Sequence, residues 1–90
     1  MVSPSLALYY YDGCYFCFIV KQAISSLGVS VELRNIFAEP RHRQDLQVAT
    51  GRRRVPVLRI EHADGSVEWM PESRDIVAYL ERESRGQQSA

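Results

Sequence analysis

The sequence predicts an α/β fold whose strands and helices follow in the order β-α-β-α-β-β-α. Three observations lead to this order: a segment of helical periodicity separates two strand-like apolar runs, a second helical segment follows, and the last two strand-like runs meet at the tight-turn pair Asp64-Gly65. Strands joined through a helix pair in parallel and hairpin strands pair antiparallel, so we expect a four-stranded mixed sheet flanked by helices. Ninety residues allow one domain, assigned to residues 1–90 with a frayed polar tail from about residue 85.

The first half of the chain forms a crossover unit. Residues 6–10 are apolar and aromatic, which is typical of a buried strand, and an Asp-Gly pair ends them. Gly28 stands where a left-handed residue ends a helix, and residues 29–33 alternate as a second strand with Leu33 on its apolar side. The helix between them has one apolar face, formed by Phe16, Ile19, Val20, Ala23, Ile24 and Leu27.

The second half begins with a polar helical segment from Pro40 to Gly51. Residues 55–60 and 67–70 then predict the third and fourth strands. Ser73 is a natural N-cap for the last helix. The inward side of that helix is marked by Ile76, Val77 and Leu80.

Composition and charge restrict the function. A hydrophobic content of 46% argues against disorder, and eleven basic residues balance eleven acidic ones, which gives no support to a nucleic-acid partner. The chain begins without a secretory-signal pattern and has no apolar run long enough to span a bilayer. We therefore expect a cytoplasmic protein without membrane attachment.

Cys14 and Cys17 are the residues of greatest chemical interest. Cys14 falls at the start of the first predicted helix, where unpaired N–H groups and the helix dipole favour a thiolate, and Cys17 lies one turn further in, within reach of a mixed disulfide on Cys14. The same spacing fits a structural disulfide or half of a zinc site. A cytoplasmic setting argues against the first. A second cysteine pair is missing and His42 and His62 are far apart in sequence, which argues against the second. We interpret the pair as redox-active, with no metal bound.

For residues near the cysteines and in the basic run we weigh a structural role against contact with a ligand. Arg53 is expected to be solvated, whereas Arg52 and Arg54 suit contacts with carboxylates. Tyr11 and Tyr15 are expected beside the thiols. Phe16 is expected to pack beneath the helix, Trp69 to pack in the sheet, and both histidines to lie on the surface.

Three segments resemble the glutaredoxin family: residues 14–17, 51–56 and 71–76. Their order and separations match the family's active-site cysteines, its Val-Pro turn and its glutathione-binding helix start, and the likeness extends over residues 6–81. Residues 72–74 also resemble the N-terminal domain of glutathione transferases, which shares the thioredoxin fold. The sequence has no all-helical second domain, which disfavours a full transferase.

The resemblance implies a glutathione-dependent thiol–disulfide oxidoreductase of the thioredoxin-like fold, glutaredoxin type. Cys14 is then the nucleophile that forms a mixed disulfide, and Cys17 or a second glutathione resolves it. Glutathione is the co-substrate, protein disulfides or glutathionylated proteins are the partners, and a monomer is expected.

The resemblance also implies a binding site for glutathione. Pro56 is expected in the cis form, with the Val55 backbone pairing the cysteinyl part of glutathione. Glu72 and Ser73 hold the γ-glutamyl end: Ser73 and the helix start take its carboxylate, and Glu72 or Asp75 takes its amino group. Arg52 reaches the glycyl carboxylate. With the neighbouring candidates, the predicted glutathione-binding residues are Tyr11, Tyr15, Arg52, Arg54, Val55, Pro56, Glu72 and Ser73.

Three departures from the family pattern leave alternatives open. Tyr15 replaces the proline that usually follows the first cysteine, and relatives without that proline can carry a [2Fe–2S] cluster ligated with glutathione. Tyr11 replaces a common lysine, and Arg54 replaces a threonine. A glutathione-ligated [2Fe–2S] carrier and a non-catalytic glutathione-binding module of transferase type are therefore the alternatives to the enzyme.

Overall fold

The structure, a computed structural model, describes residues 4–88, with side chains over residues 4–86, and has the predicted element order. Four strands form one sheet in the order β2-β1-β3-β4, with β1 parallel to β2 and antiparallel to β3, and β3 antiparallel to β4. This arrangement confirms the predicted α/β thioredoxin-like class. The elements are β1 (Ser5–Tyr10), α1 (Tyr15–Leu27), β2 (Glu32–Asn35), α2 (Pro40–Thr50), β3 (Val57–Glu61), β4 (Val67–Met70) and α3 (Ser73–Gln88).

One face of the sheet carries the main hydrophobic core, which lies beneath α1 and α3. Alternate residues of β1 and β3 point to this face, because side chains on a strand alternate between its two sides. The helices complete the core with side chains from α1 and α3 that have no exposed surface. The buried members are Leu6, Leu8, Val20, Val29, Leu58, Ile60, Ile76 and Leu80.

The opposite face carries a smaller core beneath α2. Tyr9, Ile36, Leu46 and Val57 are buried there. Leu46 is the buried side chain that α2 contributes, whereas Val48 of the same helix is 80% exposed. The polar sequence of α2 therefore anchors it to the sheet chiefly through one leucine.

Several boundaries differ from the sequence prediction, and β3 begins at Val57 rather than at residue 55. β2 begins at Glu32 rather than at residue 29, and Leu33 is 47% exposed, because apolar alternation at residues 29–33 reports burial of Val29 rather than strand pairing. Ser73 is the first residue of α3 instead of its N-cap. Glu72 takes the N-cap position, and its backbone carbonyl accepts a hydrogen bond from the Ile76 N–H at 2.9 Å.

The polar tail predicted from about residue 85 is also different. α3 continues to Gln88, and residues 89 and 90 lie outside the described residues. Good helix formers dominate this last stretch, and the buried Ser84 hydroxyl donates a hydrogen bond at 3.3 Å to the carbonyl of Leu27 at the end of α1. Within residues 4–88, no helix combines the length and the apolar character needed to cross a bilayer.

Candidate functional site

Cys14 occupies the N-cap of α1. The chain leaves β1 through Gly13, whose φ of 93° lies in the left-handed region that glycine adopts without strain, and Cys14 then has the extended backbone typical of an N-cap. The Cys17 N–H donates a hydrogen bond to the Cys14 sulfur at 3.2 Å. The half-buried Cys14 sulfur therefore receives one of the free N–H groups of the helix start, an arrangement that stabilises negative charge on sulfur.

Cys17 lies in the first turn of α1 with 1% of its surface exposed. Burial, followed by the hydrogen bond and the negative charge of Cys14, raises the pKa of Cys17 to about 12, against weaker opposing effects of a Tyr11 backbone hydrogen bond and the Lys21 charge. Both cysteines are free thiols. At neutral pH Cys17 is thus a protonated thiol beneath the surface, and Cys14 is the sulfur that solvent reaches.

The loop between α2 and β3 faces the Cys14 sulfur. The Val55 carbonyl oxygen lies 4.0 Å from that sulfur, and the Val55–Pro56 peptide bond is cis, as the family resemblance implies. Pro56 is buried and Val55 is half-buried. A backbone carbonyl of the loop is thereby held beside the reactive group.

A groove of about 210 Å³ lies next to the Cys14 sulfur and the Val55 carbonyl, and three separate segments of the chain line it. The start of α1, the Val-Pro loop and the start of α3 each contribute to its wall, so the fold brings together parts of all three segments that carry the family resemblance. The lining residues are Phe16, Arg54, Val55, Pro56, Pro71, Glu72 and Ser73.

Five of the residues predicted to bind glutathione line this groove, and three do not. Tyr11 is half-buried and packs its ring against Phe37, with 5.1 Å between centroids. Tyr15 is 69% exposed. Arg52 is exposed on the loop, where its backbone N–H and carbonyl bond the Thr50 hydroxyl. A role for these three in binding stays a prediction.

Phe16 and Pro71 line the groove but were missed as site residues. Phe16, predicted to be packed beneath α1, is instead 56% exposed. The buried stripe of α1 passes through Cys17 and Val20, which moves Phe16 to its flank. Free cysteine is among the most buried residue types, so counting Cys17 as apolar would have placed the stripe correctly.

Two further predictions concern ring side chains. Trp69 packs against Tyr9 with 5.3 Å between ring centroids, which confirms a packing role. His42, predicted on the surface, is half-buried with its ring edge-on to Tyr9, and its Nδ1 has no hydrogen-bond partner among the described residues. The position of His42 one turn before Leu46 on α2 explains its partial burial.

Comparison with known proteins identifies a family and several similar structures. Residues 8–88 match the family described as the N-terminal domain of glutathione S-transferase. Maleylacetoacetate isomerase from Anaeromyxobacter dehalogenans, with bound dicarboxyethyl glutathione and citrate, is 25% identical over all of this chain, with a TM-score of 0.70. Among curated proteins, none matches the chain.

Two other solved structures are similar to the chain at 28% identity. Glutaredoxin 2 from Salmonella typhimurium in complex with glutathione covers 90% of this chain with a TM-score of 0.69, and a trimeric glutathione transferase from Leishmania covers 88% with a TM-score of 0.71. The chain spans 40% of the isomerase, 34% of glutaredoxin 2 and 18% of the Leishmania protein. The likeness is therefore to one domain of longer proteins.

Proposed function

This chain belongs to the family of glutathione S-transferase N-terminal domains, and from that membership we propose that it is a glutathione-dependent thiol–disulfide oxidoreductase. One observation supports the proposal most strongly: Cys14 is accessible, receives a backbone N–H at the start of α1 and lies beside a groove, while Cys17 is buried one turn away. A transferase-type site needs only to hold glutathione. Two cysteines in this geometry also suit exchange of disulfides.

The groove offers glutathione a backbone segment, a helix start and side chains of both charges. The Val55 backbone pairs with the cysteinyl part of glutathione, which directs the glutathione sulfur toward Cys14. The free N–H groups at the start of α3 take the γ-glutamyl carboxylate, and Glu72 takes the γ-glutamyl amino group. Arg54, which also lines the groove, takes the glycyl carboxylate.

The proposed exchange begins at a glutathionylated substrate. The Cys14 thiolate attacks the glutathione sulfur, so that the Cys14–glutathione disulfide forms while the substrate–glutathione disulfide breaks. The substrate sulfur leaves as a thiolate and takes a proton from water. A second glutathione thiolate then attacks the enzyme-bound glutathione, which releases glutathione disulfide and restores Cys14. One glutathione thiol is oxidised for each glutathionylated substrate reduced, and the other half of the glutathione disulfide is the glutathionyl group removed from the substrate.

Cys17 supplies a second route, by attacking the mixed disulfide on Cys14. In the free protein the Cys14 hydrogen bond and charge both raise the pKa of Cys17, and formation of a mixed disulfide removes that charge and leaves burial as the main cause. Cys17 therefore becomes a better nucleophile once Cys14 is occupied. We expect this route to matter for protein disulfides and to gain speed as the pH rises.

Matched cysteine variants test the proposal with a glutathionylated peptide as substrate and glutathione as reductant. Cys14→Ser should abolish turnover, because no other accessible sulfur lies beside the groove in the described residues. Cys17→Ser, the matched control, should retain turnover of the glutathionylated peptide and lose activity on protein disulfides. Full turnover by Cys14→Ser would overturn the proposal.

The same variants separate the alternatives. Tight glutathione binding by the wild-type protein without any peptide turnover would identify a binding module of transferase type. A [2Fe–2S] cluster takes four thiolate ligands, which Cys14 of two copies of the chain and two glutathiones would supply together. Absorption bands of a cluster after anaerobic reconstitution with iron, sulfide and glutathione would identify the carrier instead.

A further inference from the structure

The charges of this protein are distributed unevenly along the chain. Its formal net charge is zero, yet residues 40–54, which form α2 and the loop after it, carry five arginines against one aspartate. This segment therefore has a charge of +4, and the remainder of the chain has −4. Such a separation produces a local field even though the whole molecule is neutral.

Three of these arginines line two depressions of the surface, one of which is the groove, and the two depressions are linked by the consecutive residues Arg53 and Arg54. Arg43 of α2 and Arg53 of the loop line one shallow depression of about 350 Å³. Arg53 Nε donates to Gln47 Oε1 at 2.8 Å, which holds the loop arginine against α2. Arg54 lines the glutathione groove itself. We call Arg43, Arg53 and Arg54 the arginine track.

The arginine track is exposed and its charge is not neutralised within the protein. In the strands, Arg34 and Arg59 each pair with a glutamate, at 2.7 and 3.0 Å. Across residues 4–86, by contrast, no carboxylate forms an ion pair with any arginine of the track. With Arg54 taking the glycyl carboxylate of glutathione, Arg43 and Arg53 are available to carboxylates of a bound peptide, which guanidinium groups bind with two parallel hydrogen bonds.

We propose that the arginine track selects substrates whose glutathionylated cysteine lies in an acidic peptide segment, an inference that rests on the proposed function. With glutathione in the groove, the peptide that carries it lies outside the groove, where Arg53 and Arg43 continue the track beyond Arg54. The track is short and the rest of the protein is negative, which suits a few peptide carboxylates better than the dense phosphates of a nucleic acid.

Three glutathionylated peptides of equal length test this selection. Their residues next to the cysteine are acidic, neutral or basic, and kcat/KM is measured for each with glutathione as reductant. At low ionic strength we expect the acidic peptide to exceed the neutral one by a ratio on the order of tenfold. In about 0.5 M salt this ratio should fall toward one, because salt screens exposed charges.

A pair of double variants locates the effect. Arg43→Gln with Arg53→Gln should lower the acidic-to-neutral ratio at least about threefold and leave turnover of the neutral peptide unchanged, because these residues do not line the groove. Arg82→Gln with Arg85→Gln removes the same charge from α3 and should leave the ratio unchanged. An equal fall of the acidic-to-neutral ratio in both double variants would mean that only the net charge of the protein matters, which overturns selection by the arginine track.

A binding measurement keeps this inference separate from the proposed function. Fluorescence anisotropy with a cysteine-free acidic peptide reports on the track without any turnover. Turnover with equal rates for all three peptides overturns the track and leaves the proposed function standing. If no peptide is turned over, the proposed function fails, and equal binding of acidic and neutral peptides then overturns the track as well. Stronger competition by single-stranded DNA than by a polyglutamate of equal charge also overturns it.

Discussion

On one face of the sheet, which we call the tight face, α1 and α3 pack together over a core of eight buried apolar side chains, some of which are their own. On the other face, the looser face, α2 is anchored by Leu46. The looser face also holds an open cavity of about 580 Å³ between α2 and the strands, with Tyr9 and Trp69 in its wall. The reactive sulfur belongs to α1 on the tight face, and the loop that faces it, with Val55, follows directly after α2. The nucleophile of the site therefore lies on the well-packed helix α1, and the binding loop that faces it follows the less well anchored helix α2.

The largest effect should come from a large-to-small change on the tight face. Leu80 of α3 has no exposed surface and packs among core side chains that have little room to collapse. Leu80→Ala should therefore lower the free energy of unfolding by about 3–4 kcal/mol, measured by urea denaturation. Glutathione affinity of the protein that remains folded should be unchanged, since Leu80 lies two turns away from the groove. A loss below about 1 kcal/mol would contradict the contrast between the faces.

The same change on the looser face should lower the free energy of unfolding less, and it should weaken glutathione binding. Leu46 also has no exposed surface, but the neighbouring cavity lets water or side chains fill the space, so Leu46→Ala should cost about 2 kcal/mol. The loop with Arg54 and Val55 follows α2, so we expect weaker glutathione binding, measured by calorimetry, and faster amide exchange confined to α2.

The exposed Val48 of the same helix gives the control for this experiment. Val48→Ala should change stability by less than about 0.5 kcal/mol and leave glutathione binding unaffected. If amide exchange in the Leu46→Ala protein were accelerated equally in all elements and glutathione affinity stayed normal, both faces would unfold as one unit and would not differ in local stability.

The core and the site differ in how far the sequence predicts them. Periodicity predicted the element order and the core positions Val20, Ile76 and Leu80, because helical spacing reports burial directly, whereas Ile19 of the predicted apolar stripe is 36% exposed. The side chains beside the sulfur were less predictable: Phe16 lies exposed because Cys17 takes the buried position, and Tyr11 packs against Phe37, a contact that depends on loop geometry. Segments distant in sequence meet at the groove, and only the resemblance to a known family predicted that meeting.

The smallest effect concerns the pH dependence of Cys17 on the tight face. Its folded-state pKa is raised to about 12 and an unfolded cysteine titrates near 8.5, so between these values the folded protein keeps a proton that the unfolded chain loses. Stability is therefore complete below about pH 8.5 and falls as the pH rises above it. Between pH 8 and pH 10 we expect a loss on the order of 1 kcal/mol in urea unfolding under reducing conditions, which Cys17→Ala should not show. Tyr79, whose burial also raises its pKa to about 12, contributes little up to pH 10, because an unfolded tyrosine is only about half ionised at that pH, and its contribution is the same in both proteins. An equal loss in the wild type and in Cys17→Ala would mean that Cys17 titrates as an ordinary thiol and that the tight face does not hold it protonated.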